Sequence, residues 1–434
     1  MNLNNLRRSL DFQLWSQVHH LPPFLFKRWQ FLQLKRVINL AYRRIPLYKK
    51  LWDEQGIQLN NVKSLEDIGI LPIMKKQDFL QCPLEERMDV SFSLGRYIWK
   101  YTSGSTGEPF GFPISTQSIL NNDIRYFGFN RYRSLIWQGF SIEYILKQLR
   151  FAQIRIHPYP TEQYLFIPIS ELRQTPNSVI DSLKKFNPDI IEGMATVLVE
   201  LARIAESLPP ETRPTPRFMF SYGEMLTLPM RAYITKIFNT EVYNNYGLEE
   251  VGIIGAECRE HDDLHINEES AIIEIVDADG KSVPPATAGR IIVTTLCNDV
   301  APFIRYDTGD EGMILYEPCS YGLSPKKLLV AGRGGVFITI GDKKIHHIEF
   351  DAIFRGLGAE ILRYQVAKTS DSKMEIRVVP STNFSPDTIG ALDKQCYDTF
   401  GIKMDIKIVD TIPYTPRGKT QVVVDETKIF KHAA

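Results

Sequence analysis

The sequence predicts an α/β protein: a large N-terminal domain of stacked mixed and parallel sheets with helical cover, then a small α+β C-terminal domain. Three observations carry that prediction. The 434 residues exceed one ordinary hydrophobic core, so two or more domains are expected. Strand-like and helix-like segments alternate from Tyr164 to Asn245, an order that favours largely parallel sheets under helices. From about Gly332 onward, short strand-like runs surround one helical stretch. The expected domains are residues 1–331 and 332–434.

Composition narrows the class. Lys plus Arg and Asp plus Glu both number 51, so no global charge points to nucleic acid or an acidic membrane. Hydrophobic residues make up 44%, and no apolar run approaches the ~20 residues of a membrane span. Met1–Arg8 lacks the apolar segment of a signal peptide. Cys82, Cys258, Cys297, Cys319 and Cys396 are odd in number and far apart, which suits a reducing cytoplasm and not a disulfide framework.

Taken in order, Phe24–Leu51 is predicted mainly helical. Phe31, Leu34, Ile38 and Ala41 recur at helical spacing among Lys35, Arg36, Arg43 and Arg44, and Ile45-Pro46 ends the run. Asp78 is a candidate helix cap. Arg96–Lys100 is strand-like and leads into Tyr101–Pro113, where Thr102–Gly107 alternates hydroxyl residues with glycines. Glycines let a backbone approach a ligand closely, and successive N–H groups with hydroxyls can surround a phosphate. No Gly-Lys-Ser/Thr closes the segment, so it is not a Walker A loop, and alone it is also the composition of a surface turn. Thr116–Tyr132 is predicted helical, with core-like aromatics at Tyr126, Phe127, Phe129 and Tyr132. Strands are predicted at Tyr164–Ile169, Arg217–Tyr222 and Glu241–Asn245, and helices at Ser178–Phe186 and Leu228–Phe238. In the last hundred residues Arg363–Ala367, Met374–Val379 and Asp405–Val409 are strand-like around a helix near Pro386–Thr399.

Four short segments carry chemistry. Ser221-Tyr222-Gly223-Glu224 and Tyr243–Glu250 each follow a strand and combine an aromatic, a glycine and a carboxylate. An aromatic face can stack on a purine, and a carboxylate can hold Mg²⁺, which prefers oxygen ligands. Phe303–Asp310 sets Asp310 on a turn, where its carboxylate can accept two ribose hydroxyls. Pro413–Lys419 presents Lys419 on a Pro/Gly turn. Each of these alone is also an ordinary turn.

Together and in this order they resemble the adenylate-forming superfamily of acyl-CoA synthetases, peptide-synthetase adenylation domains and luciferases. The branch they look most like is that of phenylacetate–CoA ligases and capsule-biosynthesis proteins. That likeness rests on Ala41–Tyr48 followed by Leu71-Pro72-Ile73, on Glu257-Cys258 with Leu264-His265-Ile266, and on Ile304-Arg305-Tyr306. It covers nearly the whole chain. The resemblance implies that Thr102, Ser103, Gly104, Ser105, Thr106 and Gly107 grip the phosphates of ATP. Tyr246 with Gly247 would lie against the adenine, and Ser221, Tyr222, Gly223 and Glu224 would form the other wall. Glu250 would hold Mg²⁺, and Asp310, assisted by Arg333, would bind the ribose. Lys419, carried on a mobile C-terminal domain, would neutralise charge as the acid attacks the α-phosphorus, a transfer that needs positioning and charge stabilisation above all. Thr102, Glu250 and Lys419 are thus the implied catalytic set. A small carboxylic acid, aromatic or otherwise apolar, is the implied substrate, lodged by Ile191–Thr196 and the segment around Tyr222, with CoA as acceptor.

The chain also departs from the pattern. The hinge reads Gly332-Arg333-Gly334-Gly335, without the acidic pair usual in relatives, and Glu108 replaces the basic residue expected before Pro109. A dihedral change can still be absorbed at Gly334-Gly335. Transfer to an amine, to a carrier-protein thiol or as a nucleotidyl group stays open beside CoA, as does a non-catalytic scaffold. Cys258, His261, His265 and Cys319 resemble a zinc site of some relatives. The later segment, Cys319-Ser320-Tyr321-Gly322, lacks one cysteine of the four ligands that structural zinc takes. Cys297 is a candidate substitute, and ordinary buried cysteines are the other reading.

Overall fold

The computed structural model describes residues 18, 21–91, 97–101, 110–115, 135–136, 140–147, 149–156, 164–261, 263–319, 326–333, 337–340, 343–346, 350, 353–354, 360–370, 373–381, 384–413 and 422–429. Contacts divide the chain into two compact units, Met1–Leu149 with Asn245–Val330, and Arg150–Asn244 with Ala331–Ala434. Both are α/β in construction. No described helix is long and apolar enough to cross a membrane.

In the first unit, helix Pro23–Arg44 buries Leu34, Val37, Ile38 and Ala41, the face the spacing predicts. Pro46 does not simply end the helical run. It opens a second helix, Pro46–Glu54, where a missing N–H is harmless in the first turn. Asp78 lies one turn inside helix Lys76–Leu80 and accepts the Lys75 N–H at 2.7 Å, so it closes the helix start from within, not from the cap position. Strand Tyr97–Tyr101 pairs antiparallel with Gly111–Ser115. The predicted helix Thr116–Tyr132 lies outside the described residues. Antiparallel pairing follows, with Ala271–Val276, Gly289–Thr295 and Tyr306–Tyr316 as successive neighbours in a larger mixed sheet. Beneath it, Phe79, Phe110, Phe303 and Tyr306 form an aromatic core, with Phe79 5.2 Å from Phe303 and 5.8 Å from Tyr306 between ring centres.

The second unit holds the alternating segment. Strands Tyr164–Pro168, Phe151–Arg155, Ile190–Gly193 and Phe218–Tyr222 run parallel, in that spatial order. Ala152, Ile154, Ile191 and Met219 point to one face and meet Leu183, Leu198, Leu201 and Ile234 of the crossover helices. Each of the Leu, Ile and Met side chains among them, fully buried, contributes roughly 1.5–3 kcal/mol. Helix Leu228–Phe238 has the predicted bounds because its ends are coded locally. Thr227 accepts the Met230 N–H, Pro229 fits the first turn, and Asn239 leaves in the left-handed region at φ 49°. The carboxy-terminal part forms a four-stranded sheet in the order Asp405–Ile408, Lys373–Pro380, Ile361–Ser370 and Val423–Asp425, backed by helix Asp387–Phe400. Leu362, Val379 and Ile412 from this part join the apolar cluster of the parallel sheet.

Candidate active site

The site in the first unit grows from the end of strand Glu241–Leu248. Gly247 sits so close to the returning strand that a Cβ there would lie 2.3 Å from the Gly252 carbonyl oxygen, so only glycine fits. The chain then turns through Glu249 and Glu250 into Gly252–Ala256. Glu249 receives Lys100 Nζ at 3.0 Å, which ties this turn to the strand that leads into Thr102–Gly107. Those six residues, and Lys419, lie outside the described residues, and Arg333 is described only in its backbone, at the end of strand Lys326–Arg333.

Asp310 is not on a turn, as the sequence suggests, but within strand Tyr306–Tyr316. The turn chemistry of Asp307-Thr308-Gly309-Asp310 is absorbed as a bulge. Pairing jumps from Ile292–Asp307 to Arg290–Glu311, and Gly309 takes φ 74°, a left-handed conformation that favours glycine. Asp310 N–H donates to Thr308 Oγ1 at 3.0 Å, and Arg290 holds Asp307 at 2.5 Å.

Two hydrogen bonds join these segments reciprocally. Tyr246 donates its hydroxyl to Asp310 Oδ2 at 2.7 Å, and Tyr306 donates its own to Glu250 Oε1 at 2.8 Å. Each segment thus supplies the tyrosine that holds the other segment's acid. Asp310 is 7% exposed and Glu250 5%, so both carboxylates meet their donors away from bulk water, where a charge-assisted bond is strong. Arg305 fixes the frame. Its guanidinium bonds both oxygens of buried Glu274, at 2.9 and 3.1 Å, and donates to the carbonyl oxygens of Leu71 at 2.6 Å and Gly69 at 3.1 Å. Burial pushes the Glu274 carboxyl above its ordinary range, against the attraction of Arg305.

In the second unit, Ser221 is fully buried at the end of strand Phe218–Tyr222, and Tyr222 has the Arg155 guanidinium 5.8 Å from its ring centre. Exposed Gly223 turns the chain at φ 73°. Glu224 reaches helix Ala195–Glu206, where its Oε2 accepts the Thr196 N–H at 3.1 Å and the Thr196 hydroxyl at 2.6 Å. The residue preceding the helix, Met194, offers no side-chain cap, so Glu224 serves as one.

Cys258, His265 and Cys319 also converge in the first unit. Their donor atoms lie within 4.8 Å of one another, with Cys258 Sγ 3.3 Å from His265 Nε2 and 3.9 Å from Cys319 Sγ. Two thiolates on one tetrahedral zinc would stand about 3.8 Å apart, from a Zn–S length of about 2.3 Å, so the three donors fit one face of such a site. His261 is not in the group, and its Nδ1 lies 3.3 Å from Glu257 Oε2. Among the described residues Cys297 is not in it either. Burial pushes the Cys82 thiol up to about 11 and the Cys396 thiol up to about 12, as expected of inert structural cysteines. No sequence pattern marks Lys100 as a partner of Glu249 or Thr196 as a partner of Glu224, although Thr196 ends the segment expected to lodge the acid; the cue for Arg305 and Tyr306 is the Ile304-Arg305-Tyr306 phrase.

The chain matches the family described as AMP-binding enzyme over residues 96–298 and that described as CapK C-terminal domain over residues 337–426. It is 24% identical over 381 residues to a phenylacetate-coenzyme A ligase of Thermus thermophilus, covering 83% of this chain and 82% of that one. It is 23% identical over 412 residues to Protein CapK of Staphylococcus aureus, covering 90% and 87%. Among solved structures, 2-hydroxyisobutyryl-CoA ligase in the postadenylation state matches with a TM-score of 0.75 at 18% identity, over 95% of this chain and 92% of that one. The same enzyme in its thioesterification state gives 0.61 at 19%, over 95% and 94%. At these identities the structural likeness is one of fold.

Proposed function

Because the chain belongs to the adenylate-forming superfamily, in the branch of phenylacetate–CoA ligases and capsule-biosynthesis proteins, we propose that it activates a small carboxylic acid with ATP and passes the acyl group to CoA. The observation that carries this reading is the reciprocal pairing of Tyr246 with Asp310 and Tyr306 with Glu250. It ties Tyr246 to Asp310 and Tyr306 to Glu250, which supports reading Tyr246 as the ring over the base, Asp310 as the ribose acid and Glu250 as the metal acid. Asp310 accepts the ribose hydroxyls while Tyr246 covers the base. Glu250, an oxygen donor on a turn beside the strand that leads to the phosphate loop, suits Mg²⁺, which takes one or two carboxylates together with substrate phosphates. Bound there, the ion would neutralise phosphate charge. Thr102–Gly107 cradles the phosphates, and Lys419, delivered by the small domain that begins at residue 332, stabilises the α-phosphoryl group. The acid's carboxylate oxygen attacks the α-phosphorus, the bond to the β-phosphate oxygen breaks, and pyrophosphate leaves with its electrons. The CoA thiolate then attacks the acyl carbon and AMP departs.

The acid is an aromatic one in this reading, supported by the phenylacetate ligases among the relatives. Zinc would be held by Cys258, His265 and Cys319 as a structural ion, and the far-spaced cysteines suit a cytoplasmic enzyme. A second reading ends at the adenylate or sends it to another acceptor; the double glycine that replaces the acidic pair at Gly334-Gly335 favours it. Pyrophosphate release with Mg·ATP, across aromatic and aliphatic acids with and without CoA, decides between them. Acid-dependent release with an acyl-CoA product supports the ligase, and release without thioester supports the second reading. No release with any acid, together with ATP binding that ignores Lys419→Ala, overturns both in favour of a scaffold.

A further inference from the structure

We infer that Tyr306 is a positioning residue, whose hydroxyl aims the Glu250 carboxylate at the metal–nucleotide complex; the inference rests on the reading of Glu250 as the Mg²⁺ ligand. Tyr306 is 2% exposed, and its ring is wedged against Phe79 and Phe303, 5.8 and 5.0 Å away. Its backbone is locked from both sides by Met74. The Met74 N–H donates to the Arg305 carbonyl at 2.9 Å, and the Asp307 N–H donates to the Met74 carbonyl at 2.8 Å. Arg305, at φ 45°, holds a backbone that bulky residues rarely adopt, kept there by its buried bonds to Glu274, Gly69 and Leu71. The hydroxyl is therefore delivered by a side chain that cannot swing, at 2.8 Å from Glu250 Oε1. Glu250 sits on the turn that the Val251 N–H closes by donating to the Leu248 carbonyl at 3.2 Å, and the Tyr306 hydroxyl meets its carboxylate from a separate strand, so the carboxylate's direction is shared with Tyr306. A fixed donor on a ligating carboxylate selects which oxygen faces the ion and tunes its basicity, and removing such a partner costs metal affinity about 10–100-fold.

The ring and the hydroxyl separate cleanly, because Tyr306→Phe keeps the packing. The readout is the gain in affinity for α,β-methylene-ATP, an analogue that cannot be split at the α–β bridge, when Mg²⁺ is added, measured by calorimetry without any acid. Tyr306→Phe is expected to lower that gain about tenfold. Glu250→Gln is expected to lower it at least as much, and the double variant no further, since the tyrosine acts through the glutamate. A gain that survives Tyr306→Phe but collapses in Glu250→Gln overturns the positioning role and leaves the metal ligand standing. A gain indifferent to Glu250→Gln overturns both. Should the Phe variant fail to fold, 4-fluorophenylalanine at position 306 fills the hydroxyl's volume but donates no hydrogen bond; the Mg²⁺ gain is again expected to fall about tenfold, and an unchanged gain overturns the proposal.

Discussion

Replacing Arg305 by methionine removes the guanidinium that holds Glu274, with both side chains almost wholly buried at 4% and 7% exposure. Methionine keeps much of the volume, so the loss is electrostatic. A buried carboxylate left without its partner costs about 3–5 kcal/mol, and the carbonyls of Gly69 and Leu71 lose their donor as well. With an unfolding entropy of about 2.1 cal/mol/K per residue, 434 residues give about 0.9 kcal/mol per degree, so the melting midpoint should fall by about 3–6 °C at pH 8. The pH dependence has a definite sign. Burial already holds the Glu274 carboxyl above its ordinary value, and without Arg305 nothing opposes that shift. A carboxyl raised in the folded state favours folding most at low pH and loses that contribution as pH rises through its folded value. The variant should accordingly lose less at pH 5, where a proton replaces the guanidinium, than at pH 8. Arg305→Lys restores the charge without the fork and should recover part of the loss. Differential scanning calorimetry of the three proteins at both pH values is the assay. A midpoint lowered by less than about 1 °C, or a larger drop at pH 5 than at pH 8, would refute the reasoning.

If Tyr246 covers the base as proposed, Tyr246→Phe keeps the ring but removes the hydroxyl that bonds Asp310, and should weaken ATP-analogue binding about tenfold, or about 1.4 kcal/mol, by calorimetry. Glu224→Ala uncaps helix Ala195–Glu206 and should cost about 1–2 kcal/mol, read as a midpoint about 1–2 °C lower. Cys258→Ser should abolish zinc that copurifies with the natural protein, as measured by atomic emission; a natural protein free of zinc would sink that assignment. Burial raises the Glu375 carboxyl, but hydrogen bonds from Lys407 and Arg377 outweigh it and hold the group below its ordinary range. Its contribution to stability is therefore present above the unfolded value and lost as pH falls through the folded one, so Glu375→Gln should matter at pH 7 and vanish under strongly acidic conditions.

What the sequence made legible was local. Helix Leu228–Phe238 could be bounded to the residue because Thr227, Pro229 and Asn239 encode its ends within the segment. The parallel strands were legible from alternation and from the loops at Asn187-Pro188 and Pro209-Pro210. Asp78 lies inside its helix and not at the cap, and Asp310 lies at a bulge within a strand and not on a turn, because short polar segments around a carboxylate look alike at a cap, inside a helix or at a bulge. The partners of the site acids could not be read at all. Tyr246 meets Asp310 across 64 residues, and Tyr306 meets Glu250 across 56, and no local periodicity states which strands become neighbours. Glu224 stands out in the sequence only as a candidate carboxylate after a strand, and its bond to Thr196 depends on two crossovers landing side by side. Three of the four zinc candidates, Cys258, His265 and Cys319, stand together, while His261 meets Glu257 instead, a choice of partner that spacing alone does not state.

The bonds of Arg305 also bear on how the chain is born. Its contact with Leu71 spans 234 residues, and that of Ile304 with Tyr48 spans 256. At about 5–20 residues per second, a ribosome needs about 10–50 s to travel from one partner to the other. Throughout that interval the emerging amino-terminal segment carries backbone groups and an aromatic cluster whose mates have not been synthesised. It cannot close early. The nascent chain must be kept from wrong partners until the arginine leaves the exit tunnel, and slowing translation between codons 71 and 305 should lengthen its dependence on chaperones.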